Sequence, residues 1–327
     1  MLIFNPAKLR NLSNMIKGPV NQMSPAKQLL LFIAVFGGIF LVGNLLGFAM
    51  IAAFYGMGML MDIGRLNLSN PQSITALYIL QIATMTAPIF LAPVVFAKWI
   101  LRDTANYIKP GFRFPWLLLV ITFFVMLVSM PLIEVLSNIN QQMVLPGWLS
   151  GLEQWMKNSE ENARRITEAI LNMDSVWDCL KNVFLIGFLT AVAEEIMFRG
   201  VLQTIFQKLT KNTHAAIWVT AALFSAFHME FYGFLPRTLL GALFGYFVAY
   251  SGSIWPAVWG HFLNNATAVV GTFLYQKKHI QLNPNDSHLF SYMGYVFSAI
   301  IIIILLLVYK KVAQGSQKPL LNGEELG

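Results

Sequence analysis

Residues 29–52 read LLLFIAVFGGIFLVGNLLGFAMIA, a run of 24 residues without one charged side chain. Runs of about 18 or more apolar residues are typical of helices that cross a bilayer, because a helix satisfies its own backbone hydrogen bonds and lipid cannot. Further runs lie at about 74–98, 115–133, 182–205, 213–230, 233–250, 254–275 and 289–309. The sequence therefore predicts an all-α fold, a polytopic bundle of about eight transmembrane helices. Seven or nine spans are alternatives, because the first run continues to Met61.

The composition excludes an ordinary soluble protein. Hydrophobic residues make up 57% of the 327 residues and charged residues 11%, whereas soluble domains have roughly a quarter charged. The net charge of +7 does not indicate nucleic-acid binding, because the basic residues lie in short clusters beside the apolar runs. Cys179 is the only cysteine, which excludes an intrachain disulfide and a metal site built on several cysteines.

Basic clusters give the predicted orientation. With eight spans, four clusters fall on one side: Lys8, Arg10, Lys17 and Lys27; Lys98, Arg102, Lys109 and Arg113; Lys208 and Lys211; and Lys310 and Lys311. The positive-inside rule places that side, with both termini, in the cytoplasm, although Lys277 and Lys278 count against it. The first run is longer than the apolar core of a signal peptide, so we expect a retained span. The short loops suit a bacterial inner membrane.

The predicted organisation follows from these spans. We expect a cytoplasmic segment 1–28, three N-terminal spans in 29–133, an extramembrane loop 134–181, a catalytic bundle 182–309 and a cytoplasmic tail 310–327. Within the loop, apolar residues recur at helical spacing: Leu152, Trp155, Met156, Ala163, Ile166, Ile170 and Met173. Its polar face would carry Glu160, Glu161, Arg164, Arg165 and Glu168. This pattern predicts an amphipathic helix, and we favour a structural cap over a substrate gate.

Ionisable residues well inside the apolar runs are few, and they are costly enough there to indicate function. They are Glu194, Glu195 and Arg199 in one run, His228 in the next, and His261, beside Asn264 and Asn265, in a third. Buried histidines are more often interhelical hydrogen-bonding residues than catalysts. An additional glutamate beside an ion pair and two histidines is hard to explain by packing alone.

Helical spacing separates the two glutamates. Glu195 and Arg199 are four residues apart, the favourable order for an ion pair, whereas Glu194 points about 100° away. Glu194 is thus left to face a cavity, where a carboxylate can take a proton from water and return it to a leaving amine. His228 would help to hold that water. His261 and Asn265 share a helix face and would offer two donors to an oxyanion.

These residues resemble the CAAX-protease and bacteriocin-processing family of intramembrane glutamic proteases. The family's three motifs occur in order on separate predicted helices: EExxxR at Glu194, Glu195 and Arg199; FxxxH at Phe224 and His228; and HxxxN at His261 and Asn265. The resemblance covers roughly residues 180–275. It implies that Glu194 and His228 activate water, that His261 and Asn265 form the oxyanion site, and that Glu195 and Arg199 support the site.

Cofactor and partners are predicted as follows. We expect no cofactor, with zinc held by Glu194, His228 and His261 as the alternative, since two histidines and a glutamate are a familiar zinc set. No HExxH motif occurs. The expected partners are the bilayer and a peptide or membrane-protein substrate, prenylated or carrying a leader, with the oligomeric state open. A proton-coupled transporter and a non-catalytic scaffold are the competing functions; the absence of charges from the first three spans counts against a transporter.

Depth in the membrane presents a conflict. Counted from the ends of the predicted runs at 1.5 Å per residue, Glu194 and His261 lie at similar depths in a core of about 30 Å. His228 comes out roughly 24 Å from the inner face, which is too far from both. We expect the fourth span to extend beyond the membrane, so that the fifth enters the bilayer later than Thr213.

Overall fold

The computed structural model describes residues 23–70, 72–280 and 289–315, and every regular element in these ranges is helical. The helices are α1 Pro25–Tyr55, α2 Met57–Gly64, α3 Ser73–Ile100, α4 Thr104–Tyr107, α5 Leu117–Gln141, α6 Ser150–Ile170, α7 Val176–Thr210, α8 Thr213–Phe227, α9 Phe234–Ser251, α10 Trp255–Gln276 and α11 Tyr292–Gly315. Short 3₁₀ turns occupy Gly147–Leu149 and Phe231–Gly233. Most of the predicted N-terminal segment and of the predicted tail, residues 1–22 and 316–327, lies outside the described residues.

The predicted all-helical membrane bundle is confirmed, and each predicted run coincides with a helix. Six helices in the described part of the chain are long and apolar enough to cross a membrane: α1, α3, α5, α7, α9 with its preceding 3₁₀ turn, and α11. Helix α8 is apolar but has only 15 residues. Helix α10 has 22 residues but includes His261 and two asparagines. The number of crossings therefore stays a prediction.

Two hydrophobic cores flank the site. One joins α1, α3, α7 and α8 through residues such as Phe32, Phe96 and Phe198. The other joins α5, α9, α10 and α11 through residues such as Phe244 and Tyr309. Glu194, Glu195 and Arg199 lie on α7, between these two cores.

Two faces of the bundle can be defined from its loop contacts. On the first face, where α1 begins and α7 ends, Lys208 donates a hydrogen bond to Tyr107. On the second face, where α7 begins, Asn182 donates to the carbonyl of Ile170 at the end of α6. The amphipathic helix α6 therefore belongs to the second face.

Helix α7 extends past the start of α10 on the first face, and its extension beyond the membrane stays a prediction. The Tyr107 carbonyl packs against Gly200, and the Lys109 carbonyl accepts a hydrogen bond from the amide of Ile254 at the start of α10. Helix α10 thus begins near the level of Gly200, roughly 15 Å before α7 ends. Glu194 and His228 are each about 22–24 Å along their helices from the shared turn at 211–212, so their depths agree.

The predicted amphipathic helix is confirmed as α6, with one correction. Glu161, Arg164, Arg165 and Glu168 form exposed ion pairs, and the two arginines lower the pKa of Glu161 to about 2. Glu160, predicted on this polar face, instead turns inward and accepts a hydrogen bond from the Tyr232 amide at 3.0 Å. Burial raises the pKa of Glu160. The periodicity could not show this, because Tyr232 is 72 residues away.

Cysteine labelling tests the two faces. In a Cys179→Ser background, an impermeant maleimide should reach a cysteine at Lys157 on α6 from one side of sealed vesicles and a cysteine at Lys211 from the other. The two residues lie at opposite ends of the bundle, and a charged reagent does not cross lipid. Lysed vesicles, in which both positions should react, provide the control. Labelling of both positions from the same side would contradict the arrangement.

Candidate active site

Glu194 faces two histidines from different helices. Its Oε2 atom lies 3.8 Å from Nε2 of His228 and 3.7 Å from Nε2 of His261. The same oxygen is buried and has no hydrogen-bond partner among the described residues. A buried carboxylate oxygen without a partner is costly. Each histidine nitrogen is close enough to this oxygen for one water molecule to bridge the pair.

Glu195 forms a buried ion pair with Arg199, as their spacing predicts. Its Oε1 lies 2.9 Å from a terminal nitrogen of Arg199, and both side chains are fully buried. The second terminal nitrogen of Arg199 donates to the Gly241 carbonyl at 3.0 Å. The guanidinium also lies 4.2 Å from the centre of the Phe224 ring, a cation–π contact. Arg199 is thus held by α7, α8 and α9 together.

A π-helical turn at Ile196–Leu202 follows the two glutamates directly. Such turns are rare and frequently occur at functional sites. The turn carries Arg199, and the wider winding still leaves the arginine on the side of α7 that Glu195 occupies. Between Gly187 and Gly200 the sequence contains no Pro or Gly that would have predicted this turn.

Glu195 also orients His261. Nδ1 of His261 lies 2.8 Å from the Glu195 Oε1 atom, and the imidazole stacks on Phe244 with ring centres 5.1 Å apart. The Glu195 carboxylate that pairs with Arg199 acts as the acceptor, so Nδ1 of His261 carries the hydrogen. In the neutral ring Nε2 is then an acceptor that faces Glu194.

His228 is fixed in the same way at the end of α8. Its Nδ1 lies 2.8 Å from the Phe224 carbonyl oxygen, which can only accept. Nε2 of His228 therefore also faces Glu194 as an acceptor when the ring is neutral. The His228 side chain is 27% exposed, against 10% for Glu194 and 5% for His261. The site is thus most accessible from the His228 side.

Asn265 lies on the same face of α10 as His261 but is tied to another partner. One of its amide hydrogens goes to the Ile186 carbonyl at 3.2 Å, and its side-chain oxygen accepts from Asn264 at 3.2 Å. Neither Glu194 nor the histidines are among its hydrogen-bond partners in the described chain. Its second amide hydrogen has no acceptor among the described residues.

The turn after His228 is held by residues that the sequence did not reveal. Asn140, buried at the end of α5, donates to the Phe231 carbonyl at 2.9 Å and accepts from the Leu235 amide at 2.6 Å. Glu160 holds the Tyr232 amide. These contacts bridge more than 70 residues of sequence, and a polar residue near the end of an apolar run is a weak signal by itself.

Gly241 and Gly245, four residues apart on α9, allow close packing against α8 and leave their carbonyl groups accessible to side chains of α7. A Cβ on Gly245 would lie 2.8 Å from Ile217, and one on Gly241 would lie 3.1 Å from Ala221. The close approach lets the Gly241 and Gly245 carbonyls accept from Arg199 and Gln203 respectively. Packing and support of the ion pair therefore share one cause.

Metal ligation is the alternative role for the residues of this site. No group of three His, Cys, Asp or Glu side chains there is arranged to hold a metal ion. The Nδ1 atoms of His228 and His261 nevertheless each make a hydrogen bond within the protein. Metal-binding histidines share this feature. Zinc, if bound, would be held by Glu194, His228 and His261.

Comparison with known proteins supports the predicted resemblance. Residues 176–267 match the family model described as "Type II CAAX prenyl endopeptidase Rce1-like". This segment is similar to the Rce1-like family. The Rce1-like segment begins where α7 begins and contains all three motifs, which confirms the relationship to the CAAX-protease and bacteriocin-processing family. That family is one of proteases.

A curated relative extends the comparison modestly. The chain is 26% identical over 113 residues to "Uncharacterized protein YpbD" of Bacillus subtilis (strain 168), which covers 33% of this chain and 53% of the relative. The chain thus spans about half the length of the curated relative it matches. No solved structure matches it significantly.

Proposed function

We propose that the protein is an intramembrane endopeptidase that hydrolyses peptide bonds with water activated by Glu194. The observation that carries the proposal is the convergence of the Glu194 carboxylate and two histidine Nε2 atoms, at 3.7 and 3.8 Å, between apolar helices. The neighbouring carboxylate is already neutralised by Arg199. Glu194 is therefore the group available as a base in an otherwise paired cluster.

Proton counting defines how water would be held. One water has two hydrogens, whereas Glu194, His228 and His261 present three acceptors when both rings are neutral. If Glu194, His228 and His261 share one additional proton, the number of hydrogens equals the number of acceptors. The net charge of the three side chains is then close to zero, which suits an apolar surrounding. In this state the water donates to Glu194 and is oriented by the imidazoles.

The reaction then proceeds in two steps. Glu194 takes a proton from the water as its oxygen attacks the peptide carbonyl carbon, giving a tetrahedral oxyanion. Glu194 returns that proton to the amine nitrogen as the C–N bond breaks. The free amide hydrogen of Asn265 and the Nε2–H of a protonated His261 are the proposed oxyanion donors. His261 serves in this way only when charged, because its Nδ1 hydrogen is committed to Glu195.

The proposed substrates are membrane-associated peptides, including prenylated C-termini. The family description names prenyl endopeptidases, and the described helices present apolar surfaces that would hold a lipid-anchored chain. Leader peptides of membrane-delivered proteins are the other class that fits this site.

Mapping peptide termini in membranes tests the proposal without a known substrate. Cells producing the wild-type protein should show new C-termini or N-termini in membrane proteins that are missing from cells producing Glu194→Ala at equal level. Glu161→Ala, on the exposed face of α6, is the matched control and should behave as wild type. Identical sets of termini in all three would contradict a protease.

Chelation separates the metal-free mechanism from the zinc alternative. We expect cleavage by the purified protein to survive excess EDTA and 1,10-phenanthroline, because a carboxylate and two imidazoles can activate water by themselves. Activity lost on chelation and restored by zinc would instead assign Glu194, His228 and His261 as ligands.

Asn140 is expected to act as a positioning residue for His228. Asn140→Ala removes the two hydrogen bonds that Asn140 makes to the turn after His228, so kcat should fall by up to about 100-fold with KM changed much less. Gln141→Ala, on the exposed side of the same helix end, is the matched control. Steady-state kinetics give both constants, and equal kcat in the two variants would contradict the role.

A further inference from the structure

A cavity of about 550 Å³ with a mixed polar and apolar lining opens at the first face of the bundle, away from the catalytic residues. It lies between the start of α1, the α4 region and the end of α7. Its polar lining includes Gln28, Asp103, Asn106, Lys109, Thr204 and Lys208. None of these residues takes part in the proposed peptidase.

Two ammonium groups share this cavity. Lys109 donates to Thr204 Oγ1 at 2.5 Å, and Lys208 donates to Tyr107 Oη at 2.6 Å while lying over the Tyr107 ring. Burial, together with the charge of Lys208, lowers the pKa of Lys109 to about 8. Lys109 is partly buried and Lys208 is exposed. Two cations that line one cavity favour an anion that neutralises them.

The charge and donors of the cavity limit the ligand. Two lysines and one aspartate line it, which leaves a net charge of +1. A phosphodiester carries one negative charge and accepts several hydrogen bonds, so it matches that value. The Asp103 carboxylate, which the Asn106 amide holds in place through hydrogen bonds of 2.8 and 2.9 Å, can also accept from hydroxyl groups next to the phosphate.

The cavity lies where a lipid headgroup would be. It adjoins the first turn of α1, a helix long and apolar enough to span the membrane. Further along α1, Leu30 and Ile33 are 68% and 55% exposed. Those side chains offer an apolar surface to acyl chains attached to a headgroup in the cavity.

We propose that this cavity binds the phosphodiester headgroup of an anionic phospholipid, with Lys109 and Lys208 on the phosphate and Asp103 near the headgroup hydroxyls. The site would tie α1 and α7 to the bilayer at one face. It stands independently of the proposed peptidase.

Lipid-dependent melting of the purified full-length protein tests the site. Phosphatidylglycerol in detergent micelles should raise the melting temperature, whereas phosphatidylcholine at the same concentration should not. Lys109→Gln and Lys208→Gln should each weaken the apparent affinity by about tenfold, since each loses one charge-assisted hydrogen bond. Lys27→Gln, which removes an exposed lysine on the same face outside the cavity lining, should bind as wild type.

Further arms exclude simpler explanations. Lys109→Arg keeps the charge and should retain binding even if Lys109→Gln is too unstable to measure. Glycerol 3-phosphate and inorganic phosphate should stabilise far less than the lipid. The proposal would be overturned if the free phosphates or phosphatidylcholine stabilised the protein as much as phosphatidylglycerol does. It would also be overturned if phosphatidylglycerol stabilised the Lys208→Gln and Lys27→Gln variants equally.

Discussion

Glu194→Gln is expected to lower kcat for peptide cleavage by on the order of 100-fold or more, the loss that removing a general base produces. Glutamine keeps the shape of the side chain but cannot accept a proton from water at neutral pH. The Glu194 Oε2 atom has no hydrogen-bond partner among the described residues, so few protein contacts are lost. Melting in detergent should therefore remain close to that of wild type.

Two further variants sharpen this prediction. Glu161→Gln also neutralises one carboxylate, but on the exposed face of α6, and should leave both kcat and melting unchanged. Glu194→Asp retains the base at a shorter reach and should keep more activity than Glu194→Gln. A Glu194→Gln protein as active as wild type would remove Glu194 from the mechanism.

Glu195→Gln is expected to lower the stability of the protein as well as its activity. The substitution leaves the Arg199 guanidinium without its charge partner at a fully buried position, and breaking such a pair costs about 3–5 kcal/mol. Activity should fall as well, because the same Glu195 oxygen orients His261. Thermal melting and expression yield measure the stability change, and kcat measured below the melting transition reports the loss of orientation.

The double variant Glu195→Gln/Arg199→Gln distinguishes a stranded charge from general damage. It should recover part of the stability lost in Glu195→Gln, since two neutral groups need less compensation than one unpaired cation. A Glu195→Gln protein that melts like wild type but is inactive, beside an active Glu194→Gln, would show that the two glutamates have the opposite roles.

The apolar runs predicted the helices because lipid requires every spanning segment to satisfy its own backbone. Helical spacing likewise predicted the Glu195–Arg199 pair, since residues four apart meet on one helix face. The three motifs predicted which helices would meet at the site. The sequence could predict these features because each depends on residues that are close together in the chain or on the resemblance to a known family.

Other features depend on contacts between distant segments. Asn140 and Glu160 reach the turn after His228 from α5 and α6, and nothing in their local sequence indicates that partner. That α7 extends past the start of α10 could be inferred only indirectly, because the predicted runs placed His228 too far in depth from Glu194 and His261. The hydrogen bonds that fix both Nδ1 atoms required coordinates, because each depends on the orientation of an imidazole ring.

The hydrogen bonds of His261 also limit the role predicted for it. Its spacing from Asn265 predicted an oxyanion donor, yet its Nδ1 hydrogen is directed to Glu195. It can donate from Nε2 only as an imidazolium. The proton that this requires is the one shared with Glu194 and His228 in the proposed mechanism.

The central claim is tested most directly by mass spectrometry of peptides cleaved by the purified full-length protein in the presence of a chelator. The substrates are a panel of membrane-anchored peptides, prenylated and unprenylated, offered in parallel to wild type, Glu161→Gln and Glu194→Gln. We expect wild type and Glu161→Gln to release the same fragments, and Glu194→Gln to release them at least about 100-fold more slowly. Equal cleavage by wild type and Glu194→Gln would contradict the account, as would cleavage by wild type that requires added zinc.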